Sequence, residues 1–302
     1  MWNLMRFKYA YLIFSTVILI PGIISLIFFG LRLAIDFTGG SVFIYDITKV
    51  DKDSLQQNIN NIFQENKIEI ENFILGNDSI EIRTGPIEGK GNQEVDGKIK
   101  EKYPQIIQRS YESIGPSIGR ETTKNAFVAL GWVSLGILLY IAYAFRDVPK
   151  PYSSFKFGIS AIIAMLHDAL MLLGAFSILG KIFRIEIDAL FITAMLTVIG
   201  FSVHDSIVVF DRIRENLKKL PTSLSFEYVV NYSIVETLNR SFATSLTVLM
   251  TLLSLIVLGG ESIRYFVLAL LIGIISGTYS SIFTASPILV IWEELKSRKH
   301  KN

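Results

Sequence analysis

Charged residues are distributed so unevenly along this chain that six long windows are almost free of them: 9–31, 125–145, 157–180, 189–210, 241–260 and 265–292. Each window is 20 to 28 residues long, and the only acidic residues inside them are Asp168 and Asp205. About 20 apolar residues at ~1.5 Å rise cross a hydrocarbon core of ~30 Å, so the pattern predicts six transmembrane helices. Helices buried in a soluble protein would carry a polar face, and these lack one. The first window follows Arg6 and Lys8, as a signal peptide would. It is longer than the usual apolar stretch of about 7–15 residues and no A-x-A-like site follows, so it reads as an uncleaved anchor.

Between the first two windows the pattern changes. Residues 32–124 carry 27 charges in 93 positions, which suits a water-facing domain. Residues 40–47 read as a buried strand. Residues 51–67 read as a helix with Leu55, Ile59, Ile62 and Phe63 on one face and Asp51 or Asp53 as its cap. Two β-rich runs, 70–75 and 79–83, flank the turn composition Gly76-Asn77-Asp78. A second helix is expected over 93–107, interrupted by Pro104, and a last strand over 110–115. The order βαββαβ predicts a ferredoxin-like α+β domain. Gly85, Gly89, Gly91 and Gly97 read as turn or linker glycines, and no nucleophile–base pair or phosphate loop appears. The domain is expected to bind or interact rather than catalyse, since its fold alone assigns no activity.

The expected organisation is therefore a tail and first helix (1–31), the outer domain (32–124), helices two to six (125–292) and a basic tail (293–302). Within the helical part, 211–240 reads as a cytoplasmic segment. After Pro221, Phe226, Val230, Ile234 and Leu238 line one face of 225–240, the signature of an amphipathic helix lying at the membrane interface.

Charge placement orients this scheme. With a cytoplasmic N-terminus, the inner segments hold 14 Lys and Arg against 3 on the short outer loops (Lys181, Arg184 and Arg264). Both termini are then expected inside and 32–124 outside. The net charge of +2 adds little, because it averages over segments in different solvents. The chain has no cysteine, hence no disulfide, thiolate metal site or cysteine nucleophile. Its three histidines, one in the tail, assemble no catalytic or metal set. No enzyme activity, metal, cofactor or nucleic-acid partner is expected; the bilayer is.

The candidate chemistry lies inside the helices. A carboxylate in a membrane helix costs about 2.5–3.5 kcal/mol on insertion scales, which makes it a functional-site hypothesis. Asp205 stands about 16 residues into the fourth helix and shares a stripe with Thr197 and Phe201. It suits a proton carrier, or alternatively a cap or ion pair to a neighbouring helix. Arg240, entering the fifth helix, is the cation that could reach Asp205 or snorkel to the headgroups. His167 with Asp168 near the middle of the third helix, and His204 beside Asp205, are further intramembrane polar groups. Each reads equally well as a hydrogen-bonded core residue. Gly273, Gly277, Ser281 and Ala285 recur at i+4 in the sixth helix, a small-residue stripe for close helix packing.

These residues carry a resemblance that runs over nearly the whole chain. Its marks are Ile35-Asp36-Phe37-Thr38-Gly39-Gly40 after the first helix and Ile114-Gly115-Pro116-Ser117-Ile118-Gly119-Arg120 before the second. They continue with His167-Asp168, the stretch 200–216, Thr237-Leu238-Asn239-Arg240-Ser241 and Gly277-Thr278-Tyr279-Ser280-Ser281. On them the chain resembles the SecD/SecF family of protein-export membrane proteins. The resemblance implies a six-helix bundle that forms half of an RND-superfamily transporter, with a SecD protein as the other half. It implies association with the SecYEG channel in the bacterial cytoplasmic (inner) membrane. There the proton motive force, with no cofactor, would promote late stages of preprotein translocation. It also implies that Asp205 and Arg240 take part in proton passage. The family usually has Asn where this chain has His204, and the resemblance gives His204 no role. Competing readings are an RND-type exporter of lipids or small hydrophobic molecules, which would usually carry twelve spans on one chain, and a membrane enzyme.

Overall fold

The structure, a computed structural model, describes residues 2–47, 54–76, 78–87, 91–146, 148–149 and 152–299, with side chains as far as 295. The expected caps Asp51 and Asp53, the turn residue Asn77, Gly89, and Lys150 and Lys301 of the charge count lie outside the described residues. In chain order the main elements are α1 (Lys8–Phe29), α2 (Ile35–Thr38), β1 (Gly40–Asp46), α3 (Leu55–Glu65), β2 (Ile70–Leu75), β3 (Ser79–Thr84), α4 (Gly91–Lys102) and β4 (Ile107–Ile114). They continue with α5 (Pro116–Ala144), α6 (Ser154–Phe183), α7 (Ala189–Lys219), α8 (Phe226–Leu258), α9 (Arg264–Ser280) and α10 (Ser286–Lys299). A π-helical turn, Ser281–Ala285, joins α9 to α10. Among the described residues six helical stretches are long and apolar enough to cross a membrane, one for each charge-free window.

The chain falls into two compact units, Leu33–Phe127 and the remainder. In the helical unit, α9 packs against α6, α7 and α8, and α1 packs along α6. The α1–α6 contact is close because two glycines face each other. A Cβ on Gly174 would lie 2.7 Å from the Gly22 Cα. One turn on, the Ser25 and Ser177 hydroxyls are hydrogen-bonded at 2.8 Å, and Ser177 lies 2.7 Å from the carbonyl of Gly30.

Helix ends follow local chemistry. Asp188 caps α7 by accepting from the Phe191 N–H at 2.9 Å, and Ser225 caps α8 by accepting from Tyr228 at 3.2 Å. Both helices run past their apolar windows, since polar sequence continues a helix as readily as apolar sequence does. This corrects the expectation of an interfacial amphipathic helix over 225–240. That segment is the first half of the single 33-residue helix α8, about 50 Å long at helical rise. Its Val230 and Ile234 are buried against protein, and Asn216 of α7 donates to Ser233 and Glu236, each at 3.0 Å. Arg212 of α7 grips Glu236 with two nitrogens. The apolar stripe has α7 to pack on, so it does not need the bilayer.

The end of the bundle that bears the chain termini is tied by ion pairs. Lys8 pairs with Glu227 and Glu294, and Lys156 with Glu293. Asn231 accepts from the Leu4 and Met5 N–H groups and donates to the Trp2 carbonyl, anchoring the first turn of the chain to α8.

The smaller unit has the expected βαββαβ order, with an antiparallel sheet in the order β2-β3-β1-β4. Phe43, Tyr45, Ile80 and Ile82 from the sheet meet Leu55, Ile59 and Phe63 of α3 and Val95 and Ile99 of α4. The second helix ends at Lys102, before Pro104, and β4 starts at Ile107, three residues earlier than expected. Proline clashes with the helical turn before it, so the segment after it is free to join the sheet.

The two glycine motifs flanking this unit form one structure. Gly39 has φ 74° and ψ 175°, a conformation restricted essentially to glycine. Gly40 has φ 121°, and a Cβ there would lie 2.8 Å from the Thr84 carbonyl oxygen. Gly119 comes so close that its Cβ would sit 2.8 Å from the Gly39 nitrogen. Thr123 lies 3.3 Å from the Phe37 carbonyl, and Arg83 donates to Thr38 at 2.8 Å. Phe37 is buried and Asp36 stands in the first turn of α2. Gly39→Ala should therefore destabilise the chain by about 1–3 kcal/mol from backbone strain alone. Gly97→Ala, a helical position where an added Cβ would meet open space beyond its own helix, should raise stability by about 0.5–1 kcal/mol. Thermal unfolding of the two variants in detergent checks the contrast; equal shifts would refute it.

Candidate functional site

The intramembrane carboxylates are both deeply buried, in different surroundings. Asp168 on α6 is 0% exposed. It accepts from Ser202 of α7 at 2.5 Å and from Ser276 and Ser280 of α9 at 2.7 and 2.5 Å. The ring Nδ1 of His167 lies 3.1 Å from Oδ1, the oxygen that also accepts from Ser276. Three helices thus converge on one carboxylate, and no cation is needed to hold it.

Asp205 is 3% exposed. Its Oδ2 is buried with no hydrogen-bond partner among the described residues, as are Ser206 Oγ beside it and Ser241 Oγ on α8. One turn away from Asp205 along α7 stands Ser202, so i and i+3 share a buried face. A carboxylate with an unsatisfied oxygen in an apolar bundle is costly unless the group changes state or partner during function. Such a group can take up and release a proton without dismantling a hydrogen-bond network.

Arg240 forms no ion pair among the described residues, and the structure does not join it to Asp205. It is exposed and lines a cavity of about 580 Å³ with Tyr140, Tyr143, Arg146, Val208, Asp211 and Arg212. From α7 the cavity is lined by Val208, three residues beyond Asp205, but its lining does not include Asp205 itself. His204 is exposed on another face of α7.

The small-residue stripe seats α9 on α7. A Cβ on Gly273 would lie 2.2 Å from a methyl of Val198, and one on Gly277 would lie 3.2 Å from Ser202 Cβ. Ser281 is buried and donates to the Thr278 carbonyl at the start of the π-helical turn. Ser202, Ser276 and Ser280 were not legible as partners of Asp168. The available signal was Ser276 and Ser280 at i+4 on α9, a second small polar row beside Gly273 and Gly277.

Family models match the chain in two places. One described as "Protein export membrane protein SecD/SecF, C-terminal" covers residues 94–295. The other, for the SecD/SecF GG motif, covers residues 24–46 and includes Asp36, Phe37, Gly39 and Gly40. The chain belongs to the SecD/SecF family. A SecD/SecF relative named protein translocase subunit SecF, from Thermobaculum terrenum, is 48% identical over 97% of this chain and 94% of its own length. Protein translocase subunit SecDF of Bacillus subtilis is 31% identical over 99% of this chain, which matches 39% of that longer protein. The crystal structure of SecDF, a translocon-associated membrane protein from Thermus thermophilus, superposes with a TM-score of 0.81 at 32% identity. That match covers 97% of this chain and spans 39% of the SecDF chain. With its six apolar helices, this member of the SecD/SecF family is a multi-pass membrane protein.

Proposed function

We propose that this chain is the six-span half of a proton-driven auxiliary unit of the Sec translocase. Its other half is a SecD protein, and together they act beside the SecYEG channel on late stages of preprotein translocation. The observation that carries the reading is Asp205, a buried carboxylate with an unpartnered oxygen in the fourth span of a SecD/SecF chain. A Bacillus subtilis relative named SecDF, which this chain matches over less than half its length, supports a second half of related design. The excess of Lys and Arg supports termini on the cytoplasmic side and the small domain outside, and on this reading the chain sits in the bacterial inner membrane. Proton movement then runs along α7 past Asp205 to the cavity at Arg240, whose charge steadies the carboxylate as it ionises.

Affinity capture from mildly solubilised membranes tests the assembly. It should recover a second six-span protein with a larger outer domain, together with channel subunits. Site-specific crosslinkers in the small domain should also label a stalled preprotein. Recovery of the chain with neither partner, and no label from well-exposed positions, would overturn the translocase reading.

A further inference from the structure

The His167–Asp168 pair is a second ionisable unit, which proton passage through Asp205 and Arg240 does not use. Asp168 has four donors around its two oxygens: Ser202, Ser276, Ser280 and the His167 ring. A carboxylate offers about four lone-pair sites, and these four groups fill them when it is ionised. With Asp168 ionised, His167 directs its Nδ1–H at Oδ1, and its Nε2 is then the acceptor nitrogen of a neutral imidazole. That Nε2 is buried and has no hydrogen-bond partner among the described residues. A free basic nitrogen, held against a carboxylate by its other ring atom, is a place for one proton. Uptake at Nε2 gives an imidazolium with N–H at both positions and takes the pair from net charge −1 to 0.

Among the described residues the surroundings contain little else that titrates. From α7 the nearest ionisable group is Asp205, and His204 points to an exposed face. α9 presents hydroxyls, and its Tyr279 donates to the Tyr11 carbonyl of α1 at 3.1 Å. The ring of Tyr11 itself packs on Phe283 at 4.7 Å. On α6, Lys156 and Lys181 lie 12 and 13 residues away, about 18–20 Å at helical rise. From α10, Glu293 is taken by Lys156 and Glu294 by Lys8.

We propose that His167–Asp168 is a second proton-binding unit in series with Asp205, coupled to it through Ser202. Ser202 links the two sites because it donates to Asp168 while standing three residues, about 4.5 Å of rise, before Asp205 on α7. Charge at the pair sets how firmly α7 and α9 are held to α6, so a proton there changes the setting of Asp205. His167 acts as the proton acceptor, and Asp168 positions it. This inference rests on the reading of Asp205 as a proton carrier.

The test uses the full chain with its partner half, comparing His167→Gln, Ser202→Ala and Asp205→Asn with the wild type. Glutamine keeps a polar group beside Asp168 and leaves its three hydroxyl donors in place, but does not titrate. On acidification, the purified complex carrying His167→Gln should take up one proton fewer per chain than the wild type. Gradient-dependent stimulation of translocation in vesicles should drop at least fivefold, and its pH midpoint should move. Ser202→Ala should keep the proton count while shifting the pH midpoint. Wild-type uptake and pH profile in His167→Gln, alongside loss in Asp205→Asn, would overturn this inference alone. Full stimulation in Asp205→Asn would overturn the underlying reading as well.

Discussion

Asp205→Asn should abolish the part of preprotein export that depends on the proton gradient, while the chain still inserts and copurifies with its partners. Asparagine has nearly the same shape and polarity as aspartate but carries no exchangeable charge. Asp205 Oδ2 accepts no hydrogen bond among the described residues, so the substitution removes no hydrogen bond at that oxygen. The loss should therefore appear in function and not in stability. Stimulation should fall by about tenfold or more, toward the rate seen with the gradient collapsed, as expected for removing a positioned proton-transfer group. Asp168→Asn should behave differently, because it puts an amide where three serine hydroxyls and His167 converge. It should lower stability as well as activity. Vesicle translocation assays at matched abundance, with and without an uncoupler, separate the two. Full gradient-dependent export in Asp205→Asn would remove the case for this residue as the proton carrier.

Gly174→Leu should be the most damaging single substitution within the helical unit. The added Cβ would approach the Gly22 Cα to 2.7 Å and its carbonyl carbon to 3.0 Å. Both are backbone atoms and cannot rotate away, so α1 must leave α6. The Ser25–Ser177 hydrogen bond and the contact of Ser177 with the Gly30 carbonyl would go with it. Interhelical hydrogen bonds in membranes average about 0.6 kcal/mol each. Overpacking of a tight core costs about 1–3 kcal/mol and occasionally more. A loss of about 3 kcal/mol is expected, read as a drop in the denaturation midpoint in detergent. Gly131→Leu on α5, where a Cβ would meet open space beyond its own helix, is the matched comparison and should unfold with the wild type. If both variants unfolded together, the Gly22–Gly174 approach would not be what holds α1 in place.

The family motifs divide into two physical kinds. Gly39, Gly40 and Gly119 serve the backbone: two of them need positive φ, and Gly39 and Gly119 need room against each other. His167, Asp168, Asp205 and the serines around them serve polar chemistry inside the bundle. Motif spacing alone did not separate these roles. Gly39 and Gly119 are 80 positions apart in the chain, and their contact exists only once β1 and α5 are placed.

Most of the architecture was legible because the bilayer imposes one rule on every residue of a span. Any stretch of about 20 residues without charge must satisfy its own backbone and becomes a helix. Hence all six charge-free windows became helices, and the period-2 and 3.6 patterns in 32–124 became the βαββαβ unit. Helix ends were less legible. Hydropathy marks where the membrane core lies, not where the helix stops, so α5 begins at Pro116 and α8 at Phe226. The amphipathic stripe of 225–240 was real, but whether lipid or protein covers such a stripe is set by what lies beside it. Here the extension of α7 lies beside it.

By itself the sequence determined the spans, the separate small domain and the cost of Asp168 and Asp205, because each follows from local composition and the solvent around it. Tertiary structure alone decided that Asp168 is held by hydroxyls from α7 and α9 while Asp205 keeps an unpartnered oxygen. It also decided that Arg240 lines a cavity and makes no ion pair among the described residues. Those outcomes depend on which helix faces which, and helix packing brings together side chains that no spacing rule along one chain connects.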